Sequence, residues 1–283
     1  MRPSKSTQAL KANRKRHLKK RYFLGLLSLL MITGGLLSQP RWIFALAPRL
    51  FPGALYAVKV SPSDNNIPHK IIALTIDDGP SPATEEILAV LDQHNVKATF
   101  FNISGNLPGH ESIVMQAVAS GHELGNHFTE DFPSIRLSTE AFETDLLAAE
   151  QALLPYVQST EANGTEVEPN ETLRWLRPGM GFYNSRMVNI GQRHGYQIVL
   201  GSRFPYDTHI PSSRFASIFI LRTVQPGDII VLHDGGEGRG ERTIQTLKTI
   251  LPALQKRGYI ITTVGELTET SAQQNYSVDH LAP

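Results

Sequence analysis

The sequence predicts an α/β protein built around a parallel β-sheet, because strand-like and helix-like segments alternate from residue 70 onward. The first strand candidate, 71-IIALTI-76, is apolar and β-branched, which is typical of a strand buried on both faces. Ser81 and Pro82 follow it with the residue types of a helix N-cap and a first helical position. The pattern is compatible with an open sheet and with a closed barrel.

Seven strand candidates and six helix candidates make up this alternation. The strands are predicted at residues 71–76, 98–103, 122–127, 174–178, 196–202, 228–234 and 259–264. The helices are predicted at residues 82–94, 111–120, 139–154, 184–194, 212–224 and 242–257. A parallel sheet brings the carboxyl ends of its strands to one edge, where the sites of such folds lie.

The amino-terminal region is strongly basic and leads into an apolar run. Residues 1–63 contain 12 Lys and Arg and no Asp or Glu, and nine of these cations lie within residues 1–21. From the positive-inside rule we expect residues 1–21 to be a cytoplasmic tail and residues 22–47 a transmembrane signal-anchor. The globular domain that follows is then extracytoplasmic, in the periplasm or at the cell surface. A signal cleaved near 45-ALA-47 and a soluble basic tail are the alternatives.

The remainder of the chain is acidic and contains no cysteine. Residues 64–283 carry 15 Lys and Arg against 26 Asp and Glu, which argues against a nucleic-acid partner. The absence of cysteine excludes disulfides and thiolate chemistry, so a bound metal would need His, Asp or Glu ligands. We predict a linker at residues 48–69, a globular domain at 70–268 with a surface insertion at 156–172, and a polar tail at 269–283.

Charged side chains stand at the carboxyl ends of four predicted strands. Asp77 and Asp78 end the first strand, His127 the third, Arg177 the fourth and His233 the sixth. Because these strand ends meet at one edge of the sheet, the five side chains are expected to converge. An Asp-Gly pair alone also makes ordinary turns, so the first of these motifs is weak evidence by itself.

Taken together, the motifs resemble a known family. The segments 75-TIDDGP-80, 121-GHELGNH-127, 177-RPGMGFYN-184 and 228-DIIVLHDG-235 resemble, in order and spacing, the NodB-like polysaccharide deacetylases of carbohydrate esterase family 4. The resemblance covers about residues 70–268. It implies a distorted (β/α) barrel with about seven parallel strands. It also implies metal-dependent removal of N-acetyl groups from a sugar polymer.

The resemblance assigns roles to matching residues. Asp77 takes the place of the catalytic base, and Arg177 would hold it in its ionised form. Asp78 and His127 take the places of two metal ligands. His233 takes the place of the general acid, supported by Asp207, which follows Gly195-Tyr196 at the family's spacing. The resemblance also places the backbone N–H of Met180 at the oxyanion and Leu232 at the acetyl pocket, and Tyr183 is a candidate substrate contact.

This chemistry accounts for the residue types. Amide hydrolysis needs an activated water, a stabilised tetrahedral oxyanion and a proton for the leaving amine. A metal ion lowers the pKa of its bound water and takes up oxyanion charge. An acid and a base with opposite tasks need environments that separate their pKa values. Arg177 would favour ionised Asp77, and Asp207 would favour protonated His233.

The chain departs from the family pattern at three positions. Asp131 stands where the family's second motif has its second histidine, so we predict an Asp78, His127 and Asp131 ligand set. The cofactor is expected to be Zn²⁺, with Mn²⁺, Co²⁺ or Mg²⁺ as alternatives, because two carboxylates make the site harder. Met180 replaces an aromatic residue and Thr208 replaces a tryptophan, so sugar stacking is reduced or moved to other aromatic residues such as Tyr183.

The sequence therefore predicts a membrane-anchored, monomeric hydrolase that deacetylates an extracytoplasmic polysaccharide, either peptidoglycan or a chitin-like glycan. One alternative is a catalytically impaired domain that only binds glycan, because the ligand motif is altered at Asp131. Another is an amidase acting on a small amide or imide, or an esterase acting on an O-acetylated substrate, since related barrels carry such reactions.

Overall fold

The computed structural model describes residues 39–60, 70–158 and 173–279, together with Gly35. Eight strands are present in this part of the chain: β1 Ala54–Leu55, β2 Ile71–Gly79, β3 Thr99–Asn102, β4 Glu123–Asn126, β5 Trp175–Leu176, β6 Gln197–Val199, β7 Ile229–His233 and β8 Ile260–Thr262. The α-helices are α1 Arg41–Leu50, α2 Thr84–Gln93, α3 Glu111–Ala119, α4 Thr139–Gln158, α5 Ser185–Arg193, α6 Ser213–Thr223, α7 Arg239–Lys256 and α8 Val264–Asp279.

The strands form one parallel sheet in the order β1-β6-β5-β4-β3-β2-β7, and β8 pairs with the first residues of β2. Every strand pair in the sheet is parallel. The carboxyl ends of the strands therefore lie at one edge, as the alternating sequence pattern predicts. The predicted fold class is confirmed in this respect.

The two ends of this strand order meet only through isolated bridges. Arg203, just after β6, donates its backbone N–H to Ile229 O (3.1 Å) and accepts from Val231 N–H (2.8 Å). Ala57, just after β1, bridges Asp228 in antiparallel fashion. No continuous ladder joins β7 to β1 or β6 among the described residues, so the predicted barrel is not fully closed.

Alternation along β2 divides its side chains between two apolar layers. Ile72, Leu74 and Ile76 belong to the large core cluster that includes the apolar sides of the helices. Ala73 points the other way, into a smaller cluster with Phe101, Trp175 and Val199. Thr75 and Asp77 continue this second row toward the strand's carboxyl end, so the interior of the curved sheet becomes polar where the site lies.

The domain extends beyond both predicted boundaries. Ala54–Leu55, inside the predicted linker, is an edge strand paired with β6, and Tyr56 and Val58 after it are buried. The predicted polar tail from residue 269 continues a helix that ends at Asp279, and Ser271 Oγ donates to Lys59 O (2.7 Å). Residues 61–69 and most of the predicted insertion lie outside the described residues, and α4 extends to Gln158.

The predicted membrane segment at residues 22–47 falls largely outside the described residues. Within the part of the chain that the structure describes, none of the helices has both the length and the apolar character needed to span a bilayer. The anchor therefore stays a prediction from the sequence.

Candidate active site

The base candidate Asp77 is buried and bonded to Arg177. Nη1 of Arg177 lies 2.5 Å from Asp77 Oδ1, and the two side chains are about 95% buried. Arg177 is itself fixed by two further hydrogen bonds: Nε donates to Val199 O on β6 (2.9 Å) and Nη1 to Thr75 Oγ1 on β2, the strand of Asp77 (2.8 Å). The guanidinium also lies over the Phe101 ring, 4.0 Å from its centroid. The fixed guanidinium offsets the cost of burying the Asp77 carboxylate.

Asp78 faces a different side because the strand is irregular at this residue. Its φ is 66°, and the register with β3 shifts between Asp77 and Gly79. The bulge lets two consecutive carboxylates approach different partners at the same sheet edge. Asn106 Nδ2 donates to the Asp78 carbonyl (3.0 Å) and holds this backbone in place.

His127 presents one nitrogen to Asp78. Its Nδ1 lies 2.6 Å from the carbonyl oxygen of Arg177, so Nδ1 carries a proton and donates it there. Nε2 then faces Asp78 Oδ1 at 3.3 Å. Burial opposes ionisation of Asp78, but the hydrogen bond and charge of His127 and the charges of His233 and Arg239 lower its pKa. For His127, burial acts to lower the pKa, and the bond to Asp78 together with the charge of Asp77 raises it.

A cavity of about 490 Å³ opens beside Asp78. Its lining includes Glu130, Asp131 and Arg239. Arg239 Nη1 donates to Asp78 Oδ2 at 2.9 Å, so the second oxygen of this carboxylate is bound by a guanidinium. Asp131 is exposed on the same cavity wall.

The acid candidate His233 is held by Asp207. His233 Nδ1 lies 3.0 and 3.1 Å from the two carboxylate oxygens of Asp207, and Asp207 also accepts from the His233 backbone N–H (3.1 Å). Burial acts to lower the pKa of His233, but the bond to Asp207 and the charges of Asp207, Asp77 and Asp78 raise it to about 9. His233 is in register with Asp77 on the neighbouring strand. The site thus places the Asp77 carboxylate, bound by a guanidinium, beside an imidazole whose pKa is raised.

Comparison with known proteins agrees with these motifs. The polysaccharide deacetylase family profile matches residues 64–199. A peptidoglycan-N-acetylglucosamine deacetylase from Bacillus cereus is 35% identical over 201 residues, which is 70% of this chain and 88% of the relative. This chain belongs to the polysaccharide deacetylase family. A chitooligosaccharide deacetylase from Bradyrhizobium is 31% identical, over 67% of this chain and 87% of its own length.

Solved structures of polysaccharide deacetylases share the fold. Peptidoglycan deacetylase from Bacillus subtilis superposes with a TM-score of 0.63 at 23% identity, covering 77% of this chain and 96% of that chain. The family 4 domain of a multidomain xylanase from a termite hindgut metagenome (Trinervitermes trinervoides) gives a TM-score of 0.62 at 29% identity, covering 72% and 92%.

The metal site predicted for this polysaccharide deacetylase domain is incomplete in the structure. Asp78 and His127 adjoin, but the described residues contain no group of three His, Asp or Glu side chains placed to hold one ion. Asp131 does not join the pair. The loop after His127 is held by Thr129, whose N–H and hydroxyl both donate to Asp145, and the aspartate side chain is shorter than the family's histidine. A three-ligand site therefore does not fit this arrangement.

Two other predicted positions have structural contacts of their own. Leu232 is fully buried in the cluster between sheet and helices, and its acetyl-pocket role stays a prediction. Adjacent strand residues point to opposite faces, and Val231 therefore has the same orientation as Thr75 and Asp77. The hydroxyl of Tyr183 donates to Phe51 O and lies 2.9 Å from the Tyr56 hydroxyl, so it anchors the amino-terminal segment.

Met180 occupies an exposed turn beside the motif arginine. It has a φ of 61° within the 3₁₀ turn Gly179–Gly181, and its side chain is 61% exposed. The turn packs closely against the preceding loop, since a Cβ at Gly179 would lie 2.0 Å from Phe132 O. The oxyanion role of the Met180 N–H stays a prediction.

Two residues that contact the site, Arg239 and Thr75, carry only weak signals in the sequence. Arg239 lies outside the family motifs, in 235-GGEGRG-240, and a glycine-rich segment with one arginine directly after the last motif was its only signal. Thr75 lies two residues before Asp77 on the same strand, so the two side chains point to the same face of the sheet. This spacing is visible in the sequence. The Thr75 hydroxyl accepts from Arg177 and donates to Ile230 O (2.8 Å).

Proposed function

We propose that the chain hydrolyses N-acetyl groups of an extracytoplasmic glycan, peptidoglycan or a chitin-like polymer. One observation carries the proposal: Asp77 and His233 stand in register on adjacent strands, with Arg177 on the first and Asp207 on the second. An ionised base beside a protonated acid is the arrangement that amide hydrolysis requires.

The two proton transfers follow from this geometry. Asp77 takes a proton from a water as the water oxygen bonds to the acetyl carbonyl carbon. The C–N bond then breaks, and His233 delivers its Nε2 proton to the sugar nitrogen. The products are acetate and a free amine. Arg177 binds and orients the Asp77 carboxylate, and Asp207 both orients the His233 ring and favours its protonated form.

The substrate class comes from the relatives and the location from the sequence. The relatives named above are a peptidoglycan-N-acetylglucosamine deacetylase and a chitooligosaccharide deacetylase, so both glycan classes are proposed for this chain. The basic residues 1–21 and the apolar run after them support an anchored enzyme that faces away from the cytoplasm.

Metal dependence is proposed from the family and from two of the candidate ligands. Deacetylases of this family are metal-dependent, and Asp78 with His127 supplies two ligand types suited to Zn²⁺ or Mn²⁺. The third predicted ligand is out of place, so the proton-transfer roles above are assigned to Asp77 and His233 alone.

A second candidate function is glycan binding without turnover. The observation that favours it is the guanidinium of Arg239 on Asp78, where the family resemblance places a metal. In this case the chain would retain glycan and release no acetate.

The deciding experiment is mass spectrometry of acetate and product after incubation of the full-length chain with N-acetylated peptidoglycan, chitooligosaccharides and an O-acetylated glycan. Each substrate is tested with added Zn²⁺, Mn²⁺ or chelator. We expect acetate from an N-acetylated glycan and none from Asp77→Asn. Acetate from the O-acetylated glycan alone would contradict the proposed substrate, and binding with no acetate under any condition would favour the second candidate.

A further inference from the structure

Arg239 contacts the carboxylate that the family uses for metal. It is the first residue of α7, its side chain is 26% exposed, and its Nη1 lies 2.9 Å from Asp78 Oδ2. The other Asp78 oxygen faces His127 Nε2 at 3.3 Å. Both oxygens of Asp78 therefore already have nitrogen partners, one of them a permanent cation.

The glycine-rich loop after His233 provides room for this contact. A Cβ on Gly235 would lie 2.5 Å from the Asp78 carbonyl oxygen, so the loop packs directly against Asp78 because it has no side chain there. A Cβ on Gly236 would lie 2.9 Å from Arg239 Nε. The arginine side chain thus passes over Gly236 on its way to Asp78, and its approach depends on that glycine.

A guanidinium on one oxygen of Asp78 and a divalent ion on the same carboxylate disfavour each other. Both are cations that use the same carboxylate, and like charges separated by a few ångströms repel strongly where solvent is partly excluded. A carboxylate in contact with arginine also loses that charge-assisted hydrogen bond when the arginine leaves. The acidic wall of the adjacent cavity, Glu130 and Asp131, offers the displaced guanidinium another partner.

We infer that Arg239 competes with divalent cations for Asp78, so that metal binding by this chain requires displacement of an internal cation. Arg239 thereby sets the metal affinity of the site. The inference rests on the proposed function only in taking Asp78 and His127 as the metal-facing residues, and it is tested by metal binding without reference to turnover.

The experiment is isothermal titration calorimetry of the full-length chain with Zn²⁺ and, separately, Mn²⁺. Wild type is compared with Arg239→Gln, which removes the charge, and with Arg239→Lys, which keeps it. The matched control is Arg242→Gln on the same helix, whose guanidinium donates to the Glu237 carbonyl. Circular dichroism melting of each variant establishes that it is folded.

Arg239→Gln is expected to bind both metals at least about 10-fold more tightly than wild type, the size expected for removal of one charge-assisted hydrogen bond. Arg239→Lys and Arg242→Gln should stay within about 3-fold of wild type. Equal affinity of Arg239→Gln and wild type, or an equal gain in Arg242→Gln, overturns the inference. If the affinity rises while no variant releases acetate, the inference stands and the proposed function fails.

Discussion

At the scale of single residues, the site separates two neighbouring carboxylates by giving them different partners. Asp77 pairs with Arg177, which hydrogen bonds to β2 and β6 hold in place, whereas Asp78 faces His127 and Arg239 across an irregular strand end. The cost of burying two carboxylates is offset because each has its own nitrogen donors. Substitution of Asp77 therefore tests the role of the base, and substitution of Asp78 tests the binding of metal.

Asp77→Asn is expected to lower the rate of acetate release at least about 100-fold, because loss of a general base typically has an effect of that size. The amide keeps the size of the side chain, so Asp78 and His127 stay in place and metal binding measured by calorimetry should be unchanged. Loss of metal affinity in a folded Asp77→Asn variant would show that Asp77, and not Asp78, is the ligand.

Asp207→Asn is expected to move the alkaline limb of the kcat/KM profile toward lower pH. In wild type the pKa of His233 is about 9, so the acid stays protonated through neutral pH and activity falls as pH rises through about 9. Burial lowers the pKa of His233, and Asp207 is the main group that raises it. Without the Asp207 carboxylate the effect of burial remains, so the pKa of His233 falls.

The raised pKa of His233 also makes the free energy of unfolding depend on pH, which provides a second test of the role of Asp207. The pKa of His233 in the folded protein lies above the value of about 6.5 for an unfolded histidine. The stability it contributes is therefore complete below pH 6.5 and is lost as pH rises through about 9. The wild-type advantage over Asp207→Asn in denaturant unfolding should shrink over this interval. If the alkaline limb of the kcat/KM profile is identical in wild type and Asp207→Asn, a group other than His233 is responsible for that limb.

At the scale of secondary structure elements, the site is assembled from strand ends and the loops that pack against them. The 3₁₀ turn Gly179–Gly181 follows β5 and rests on the loop before α4, where Ser134 Oγ accepts from the Gly179 N–H (3.1 Å). This packing positions Met180 relative to Arg177. Gly179 also approaches the Phe132 carbonyl closely, so this packing depends on its missing side chain.

Gly179→Ala is expected to lower kcat/KM by roughly 10- to 100-fold, since its Cβ would meet Phe132 O at 2.0 Å and move the turn away from the strand end. The control is Gly191→Ala, whose Cβ would make ordinary contacts of 3.5 Å or more. Acetate release by both variants is compared with their melting temperatures. Full activity in a stable Gly179→Ala variant would remove this turn from the mechanism.

At the scale of the whole molecule, a segment preceding the motif-bearing domain completes the sheet. β1 pairs with β6, and Tyr56 and Val58 are buried against the domain. Nearby, the fully buried Arg203 forms an ion pair with Asp228 (2.9 Å) where the two ends of the strand order approach each other. The amino-terminal segment is therefore part of the folded unit.

A chain that starts at residue 70 is expected to be less stable than one that starts at residue 44. Loss of buried Tyr56 and Val58 alone should cost at least about 3 kcal/mol, at about 1.5 kcal/mol or more for each side chain. Urea unfolding followed by circular dichroism measures the difference. Equal unfolding free energies for the two chains would show that β1 adds nothing to the domain.

The sequence by itself determined the parallel α/β class and the main polar residues of the site. Strand and helix periodicities depend on local side-chain patterns, and Asp77, His127, Arg177, Asp207 and His233 lie in motifs with recognisable spacing. The structure brings Asp77 to Arg177 and His233 to Asp207, as those motifs predict. These features are local in sequence, or follow from the rule that parallel strands end together.

Only the tertiary structure decided the third metal position, the contact of Arg239 with Asp78 and the strand at Ala54–Leu55. Whether Asp131 reaches an ion depends on the path of a loop held by Asp145, and the partner of Asp78 comes from a helix 161 residues later in the chain. An edge strand of two residues has no periodicity to detect. Each of these depends on contacts between distant segments, which side-chain patterns along one segment do not encode.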